Sequence, residues 1–261
     1  MHHGPLDFAP LWVQFALTFV LVLFAIEGGF EIGVRRAAQR KAENASSAGA
    51  MANASLALLA FLLAFTFGFA ASRLEARRTI LLDEVNAIGT TYLRAGTLPD
   101  AEAAQARVWL REYVDSRLEA VRTGKLEEGI QQWEELQRRL WESAAAIARS
   151  NPTSIPVGLY LQTLNEMIDL HATRLNESVR VRIPVTIWAA LYVLTVIAML
   201  EMGYQTGLSG KRRPLSVPAF ALAFAVVIYL IGDLDRPQAG TIRVSQQPLV
   251  ELRQSMNETP P

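Results

Sequence analysis

Cysteine is absent from the 261 residues, which excludes a disulfide framework and thiol chemistry and leaves the redox compartment undetermined. An excess of either charge is missing too, since 25 Lys and Arg face 25 Asp and Glu. With no basic and aromatic patch either, nucleic acid is not an expected partner. His2 and His3 are terminal and His171 stands alone on a predicted helix, so no metal centre is expected. Glycine-rich phosphate loops, nucleophile elbows and His-Glu-x-x-His patterns do not occur. The adjacent carboxylates Glu127-Glu128 and Glu134-Glu135 fall on surface helices as solvated charge. The expectation is a chain that is not an enzyme, with no catalytic residue and no cofactor. Segments alternating with period two are also missing, which points to an all-α fold.

What the chain does have is apolar length. Four stretches can cross a bilayer: Phe8 to Ile26, Met51 to Ala71, Ile183 to Met202, and the shorter Leu215 to Ile231. A span needs roughly 20 residues at about 1.5 Å rise each. The polar remainder supplies too little amphipathic cover to hide four such helices in a water-soluble core, so a multi-pass membrane protein is expected. The first stretch does not resemble a cleaved signal peptide. Asp7 and no Lys or Arg precedes it, and Arg35, Arg36, Arg40 and Lys41 follow in place of a small-residue cleavage pattern.

The ends of the first and third stretches repeat each other. Glu27-Gly28-Gly29-Phe30-Glu31-Ile32-Gly33 is followed by Arg35 and Arg36; Glu201-Met202-Gly203-Tyr204-Gln205-Thr206-Gly207 is followed by Lys211, Arg212 and Arg213. Glu, Gly, aromatic and second Gly keep their offsets, and a basic turn and another apolar helix follow each time. Repeated membrane helices frame the central path of many transport proteins. The chain therefore divides into a first transmembrane hairpin (1–72), a soluble helical domain (73–182), a second hairpin (183–232) and a short polar tail (233–261).

The middle domain is predicted to be helical throughout. The second membrane helix runs on past Ser72, with Leu81, Val85, Ile88 and Tyr92 as its apolar stripe, until Gly96 and Pro99 break it. Asp100 is the expected N-cap of the next helix, which carries Leu110, Tyr113, Val114 and Leu118 and stops near Gly124. A third runs from about Leu126 to Ala148 until Asn151-Pro152 and Pro156, and a fourth from Val157 to Leu175. Four such helices suit a bundle whose outer members continue into the membrane.

Lys and Arg near short loops favour the cytoplasmic side. The turn holding Arg35, Arg36, Arg40 and Lys41 and the turn holding Lys211, Arg212 and Arg213 are thus assigned inside, and the helical domain outside. Opposing this, Arg73, Arg77 and Arg78 leave the second helix, and Arg174, Arg180 and Arg182 enter the third.

The run Leu58-Leu59-Ala60-Phe61-Leu62-Leu63-Ala64-Phe65-Thr66-Phe67-Gly68-Phe69-Ala70-Ala71-Ser72-Arg73, followed by Arg77-Arg78, resembles the bacterial bestrophin-like domain family of four-helix membrane proteins. So do Asp83-Glu84-Val85-Asn86-Ala87-Ile88-Gly89-Thr90-Thr91-Tyr92-Leu93-Arg94-Ala95, Arg111-Glu112-Tyr113-Val114, and Leu234-Asp235-Arg236-Pro237 through Gly240 and Val244-Ser245. Glu84-Val85-Asn86 stands where that family usually has Glu-Ala-Asn. The resemblance implies four membrane helices per subunit and a helical domain between the second and third, as in the distantly similar bestrophins, which are oligomeric anion channels. Bestrophins keep that domain in the cytosol, opposite to the charge assignment, and no bestrophin pore motif carries over residue by residue.

Glu27 and Glu201 are candidate ion-path residues, because a carboxylate at a membrane helix end usually faces protein or water. The alternative is that both reach headgroup water beside Arg35, Arg36 or Lys211. Phe65, in an aromatic run with Phe61, Phe67 and Phe69, could form a constriction or simply face lipid. Asn86 and Thr90, on a polar helix face with Asp83 and Arg94, could line a vestibule or be solvated. Arg73, Arg77, Arg78, Arg180 and Arg182 form a candidate basic collar for anions or lipid phosphates. Gly29, Gly33, Gly203 and Gly207 make two small-xxx-small pairs suited to helix packing. Two functions follow: an oligomeric ion channel or transporter subunit of a bacterial membrane, with lipid, further copies of itself and inorganic ions as partners, or a membrane-anchored interaction or sensing protein whose helical domain binds a partner.

Overall fold

The computed structural model describes residues 9–39, 45–177, 182–210, 214–236 and 240–258. These form eight helices and, among the described residues, no strand: α1 Leu11–Ala38, α2 Ala45–Ala95, α3 Asp100–Thr123, α4 Leu126–Ser150, α5 Ile155–Leu175, α6 Val185–Leu208, α7 Ser216–Asp235 and α8 Gln247–Glu258. Four of them (α1, α2, α6 and α7) are long and apolar enough to cross a membrane. The chain is thus an all-α membrane protein. α2 has 51 residues, more than twice what a bilayer requires, and its apolar stretch ends near Ala71.

Helix boundaries follow local chemistry. Pro10, Pro99 and Pro184 occupy the N-cap positions of α1, α3 and α6, where a missing N–H costs nothing. Asp100, expected as the N-cap of α3, instead sits inside the first turn with Glu102, where both carboxylates still favour the helix dipole. Gly124 ends α3 in the left-handed region at φ 73°. Pro156 was expected to precede the next helix; it lies within the first turn of α5, behind Ser154, whose hydroxyl accepts the Val157 N–H at 3.4 Å.

The helices divide into two compact units. Unit 1 comprises Met1–Glu75 and Val181–Arg243, and its core includes Val22, Ile26, Leu59, Leu191, Ala198, Met199, Ile228 and Ile231. Within it α1 packs most extensively on α6 and also against α7. The close pairing therefore runs across the sequence repeat. Unit 2 comprises Ala76–Arg180 and Val244–Pro261, with Ile88, Tyr92, Leu110, Tyr113, Trp133, Leu140, Leu164 and Met167 at its centre. The tail contributes α8, whose Leu249 and Met256 are buried in that core, while the Tyr92 hydroxyl donates to the Met256 carbonyl at 2.9 Å. The sequence pattern was assigned no helix there.

Candidate functional site

α1 and α6 meet through glycine. A Cβ placed on Gly29 would lie 2.9 Å from the Leu200 carbonyl carbon and the Tyr204 nitrogen; one on Gly203 would lie 2.9 Å from the Ile26 carbonyl carbon and 3.0 Å from the Phe30 nitrogen. Gly33 would meet Gly207 Cα and the Leu208 nitrogen at 3.0 Å, and Gly207 the Phe30 carbonyl carbon and the Val34 nitrogen at 3.0 Å. The contacts are reciprocal. Thr18 and Tyr192, whose hydroxyls are 3.0 Å apart, are separated by 174 positions, the offset that also relates Glu27 to Glu201. Reciprocity with increasing numbers on both sides means two parallel helices related by a local twofold along their length. Only glycine permits this approach, because any side chain would enter the partner's backbone.

On that pair Glu27 is exposed and Glu201 half-buried, at equivalent positions. Glu201 Oε2 is shielded from solvent and accepts no hydrogen bond. Glu27 lines a cavity of about 160 Å³ with Ile26, Phe30, Thr206 and Pro218. A second, of about 690 Å³, is bounded by Met202, Gln205, Thr206, Ser209, Ser216 and Phe220. Polar groups thus gather at the end of unit 1 where the repeat signatures lie.

The opposite ends of α1 and α7 carry a second polar assembly. Asp233 is buried; its Oδ1 accepts the Thr241 N–H at 2.5 Å and its Oδ2 accepts the Thr241 hydroxyl at 2.6 Å and the Ile242 N–H at 3.0 Å. Asp235 Oδ1 accepts from the Ile183 N–H at 2.9 Å, Arg182 donates to the Asp235 carbonyl, and Arg236 donates to the Ala9 carbonyl at 2.8 Å. These bonds tie the starts of α1 and α6 and the segment after α7 to one helix end.

Other sequence candidates are dispersed. Phe61 and Phe65 are 69% and 63% exposed and point away from the core of their own unit. Arg73 is half-buried with its guanidinium 4.5 Å from the Phe69 ring centre, Arg77 is buried and Arg78 exposed. Arg180 lies outside the described residues. Asn86 and Thr90 are exposed, and the Thr90 hydroxyl bonds the Asn86 carbonyl at 2.9 Å.

The most concentrated chemistry was not among those candidates. In unit 2 Glu84 is fully buried, beyond the apolar stretch of α2, and is held by two guanidinium groups. Arg117 grips both of its oxygens, with Nη2 to Oε2 at 3.0 Å, and Arg174 Nε lies 2.9 Å from Oε2. The Tyr113 hydroxyl is 3.3 Å from Oε1 and 3.0 Å from His171 Nδ1, and accepts from Arg117 Nη1 at 3.2 Å and Gln137 Nε2 at 3.3 Å. Trp133 lies beneath, its ring centre 5.2 Å from the Arg117 carbon, 5.4 Å from that of Arg174 and 5.7 Å from the His171 ring.

Burial would raise the Glu84 carboxyl, but the charges of Arg117 and Arg174, with hydrogen bonding from His171 and Arg117, hold it well below its usual range. Burial would lower Arg117, yet Glu84 more than compensates and holds it up. Burial pushes Arg174 down to about 10, with repulsion from Arg117 adding to the effect. His171 is likewise lowered by burial, despite Glu84, and Tyr113 is raised by burial to about 12. At neutral pH the cluster holds one anion and two cations. Among the described residues no group of three or more His, Cys, Asp or Glu could hold a metal ion.

Four spanning helices and a polar helical unit define the class as a multi-pass all-α membrane protein. The bestrophin-like domain matches residues 13–249, and the chain belongs to that family. It is also similar in fold to a crystal structure described as that of a membrane protein, at 14% identity and a TM-score of 0.62, with 95% of this chain and 96% of that chain covered. No curated protein matches it in sequence.

Proposed function

We propose that this chain is a subunit of a homo-oligomeric ion channel or transporter in a bacterial cytoplasmic membrane, with the helical unit on the extracytoplasmic side. The observation that carries the reading is the placement of Glu27 and Glu201. They occupy equivalent positions on two parallel, glycine-packed helices; Glu201 Oε2 is buried without a hydrogen-bond partner, and Glu27 lines a cavity. A carboxylate left unsatisfied inside an apolar span is costly unless water, an ion or a proton reaches it. Family membership fits a membrane channel. The outward faces of Phe61 and Phe65 supply apolar surface for lipid or a second copy. Cations would be drawn by the carboxylates and anions by Arg73, Arg77, Arg78 and Arg182. Asn86 and Thr90 would stand at the vestibule wall.

Ion flux from proteoliposomes under opposed salt gradients tests this. Selective flux is expected in the parent, changed in a Glu27→Gln, Glu201→Gln double variant of equal assembly state. Silence of well-formed proteoliposomes across pH and voltage would overturn conduction and favour a partner-binding membrane protein. Reporter fusions at Lys41 and near Leu126 test the orientation; an external turn at Lys41 would reverse it.

A further inference from the structure

The cluster in unit 2 contains more positive charge and more donors than its own residues satisfy. Glu84 is the carboxylate that contacts both Arg117 and Arg174, whose side chains are 2% and 13% exposed. Neither guanidinium has another carboxylate among the described residues. One unit of positive charge is left over inside the core, and such a charge is expensive without a counterion.

The hydrogen-bond inventory gives the same answer independently. Both lone pairs of the Tyr113 hydroxyl are engaged, by Arg117 Nη1 at 3.2 Å and Gln137 Nε2 at 3.3 Å. Its proton goes to Glu84 Oε1 at 3.3 Å, with His171 Nδ1 3.0 Å from the same hydroxyl. His171 Nε2 is buried and unpartnered. Trp133 Nε1 and Arg174 Nη2 are also buried and unpartnered. The latter two are donors whatever the tautomer of His171. The Arg174 guanidinium lies over the Trp133 ring and the His171 ring meets it edge-on, and Trp133 is itself fully buried. Water could accept from these donors but would leave the charge uncompensated; an anion answers both deficits.

We propose that the Trp133–His171–Arg174 cluster of unit 2 binds one small monovalent inorganic anion of the halide class. The single excess charge sets its valence. The partial exposure of Arg174 gives the ion its route from water. The ion is a resident counterion of the helical unit, and the inference holds whether or not unit 1 conducts.

The probe is sodium bromide, titrated against sodium gluconate at constant ionic strength, with thermal unfolding of the full-length detergent-solubilised protein as readout. A specific site gives a midpoint that rises and then follows the logarithm of bromide concentration above the dissociation constant. Sulfate at the same ionic strength should not reproduce that curve. Arg174→Gln should abolish the bromide dependence. Trp133→Phe, which keeps an aromatic side chain but removes the indole N–H together with its five-membered ring, should weaken apparent affinity about tenfold, the equivalent of about 1.4 kcal/mol. A parent midpoint with no saturable bromide dependence would overturn the proposal, as would Arg174→Gln retaining the parent curve. Should that variant fail to fold, an unchanged apparent affinity in Trp133→Phe is the overturning result.

Discussion

Neutralising Glu84 should damage unit 2 far more than neutralising the cation beside it. Glu84→Gln removes the one negative charge between Arg117 and Arg174 and leaves two guanidinium groups facing each other in the core. Breaking a buried pair by deleting one partner costs about 3–5 kcal/mol, because the surviving charge keeps its desolvation penalty. Arg174→Gln leaves the bidentate Glu84–Arg117 pair intact and electrically neutral, and it removes the repulsion that lowers Arg174. Its cost, measured in gluconate, should stay near 1 kcal/mol, the value of an ordinary hydrogen bond. For a unit of roughly a hundred residues the difference is on the order of 10 °C in unfolding midpoint. Circular dichroism of the purified variants reads it directly. The pH dependence supplies a second handle. Because the folded carboxyl lies below its ordinary value of 4.5, its stabilisation is fully present above that value and is lost as pH falls below it toward the folded value. The parent midpoint should therefore fall steeply below pH 4.5, and that slope should flatten in Glu84→Gln. Equal losses in Glu84→Gln and Arg174→Gln, or identical acid slopes in parent and Glu84→Gln, would refute the charge accounting.

Two further outcomes follow from packing. Gly203→Val should prevent the α1–α6 approach and abolish recovery of monodisperse protein, whereas Gly28→Ala, whose new Cβ would stand 3.8 Å from Leu200 Cδ2, should be recovered normally; size-exclusion profiles in detergent distinguish them. In α8, Leu249→Ala should cost about 2–5 kcal/mol as a buried truncation, while Arg253→Ala, which breaks a partly exposed pair with Asp115 at 2.6 Å, should cost about 0–1 kcal/mol, both measured by thermal unfolding.

The membrane helices and the glycine spacing were legible because both are local. Apolar length needs no partner to be recognised, and two glycines four residues apart define a smooth helix face whatever meets them. The reciprocity of α1 and α6 was implicit in the repeated Glu-Gly-aromatic signature, but the repeat alone did not say that its two copies pack on each other. α8 was missed for want of length, although Leu249, Leu252 and Met256 recur at the spacing of one helix face. The buried cluster was missed for a different reason. Asp83, Asn86, Thr90 and Arg94 drew notice as a polar face, and all but half-buried Arg94 are exposed. Glu84 lies on the other side, three residues after Leu81 and four before Ile88, within the apolar stripe.

Arg117 follows Tyr113 and Val114 in the same way, and His171 and Arg174 fall among Leu164, Ile168 and Leu175. A charge on the apolar face of one helix is ambiguous. Charges on the apolar faces of three helices in one bundle must meet inside it, since each requires a partner there. Glu84, Arg117 and Arg174 amount to one acid against two arginines. A bundle could have avoided that imbalance by placing a neutral residue at position 174. Retaining Arg174 is physically reasonable when something negative joins Glu84 in the core, and the bromide titration tests for that missing charge.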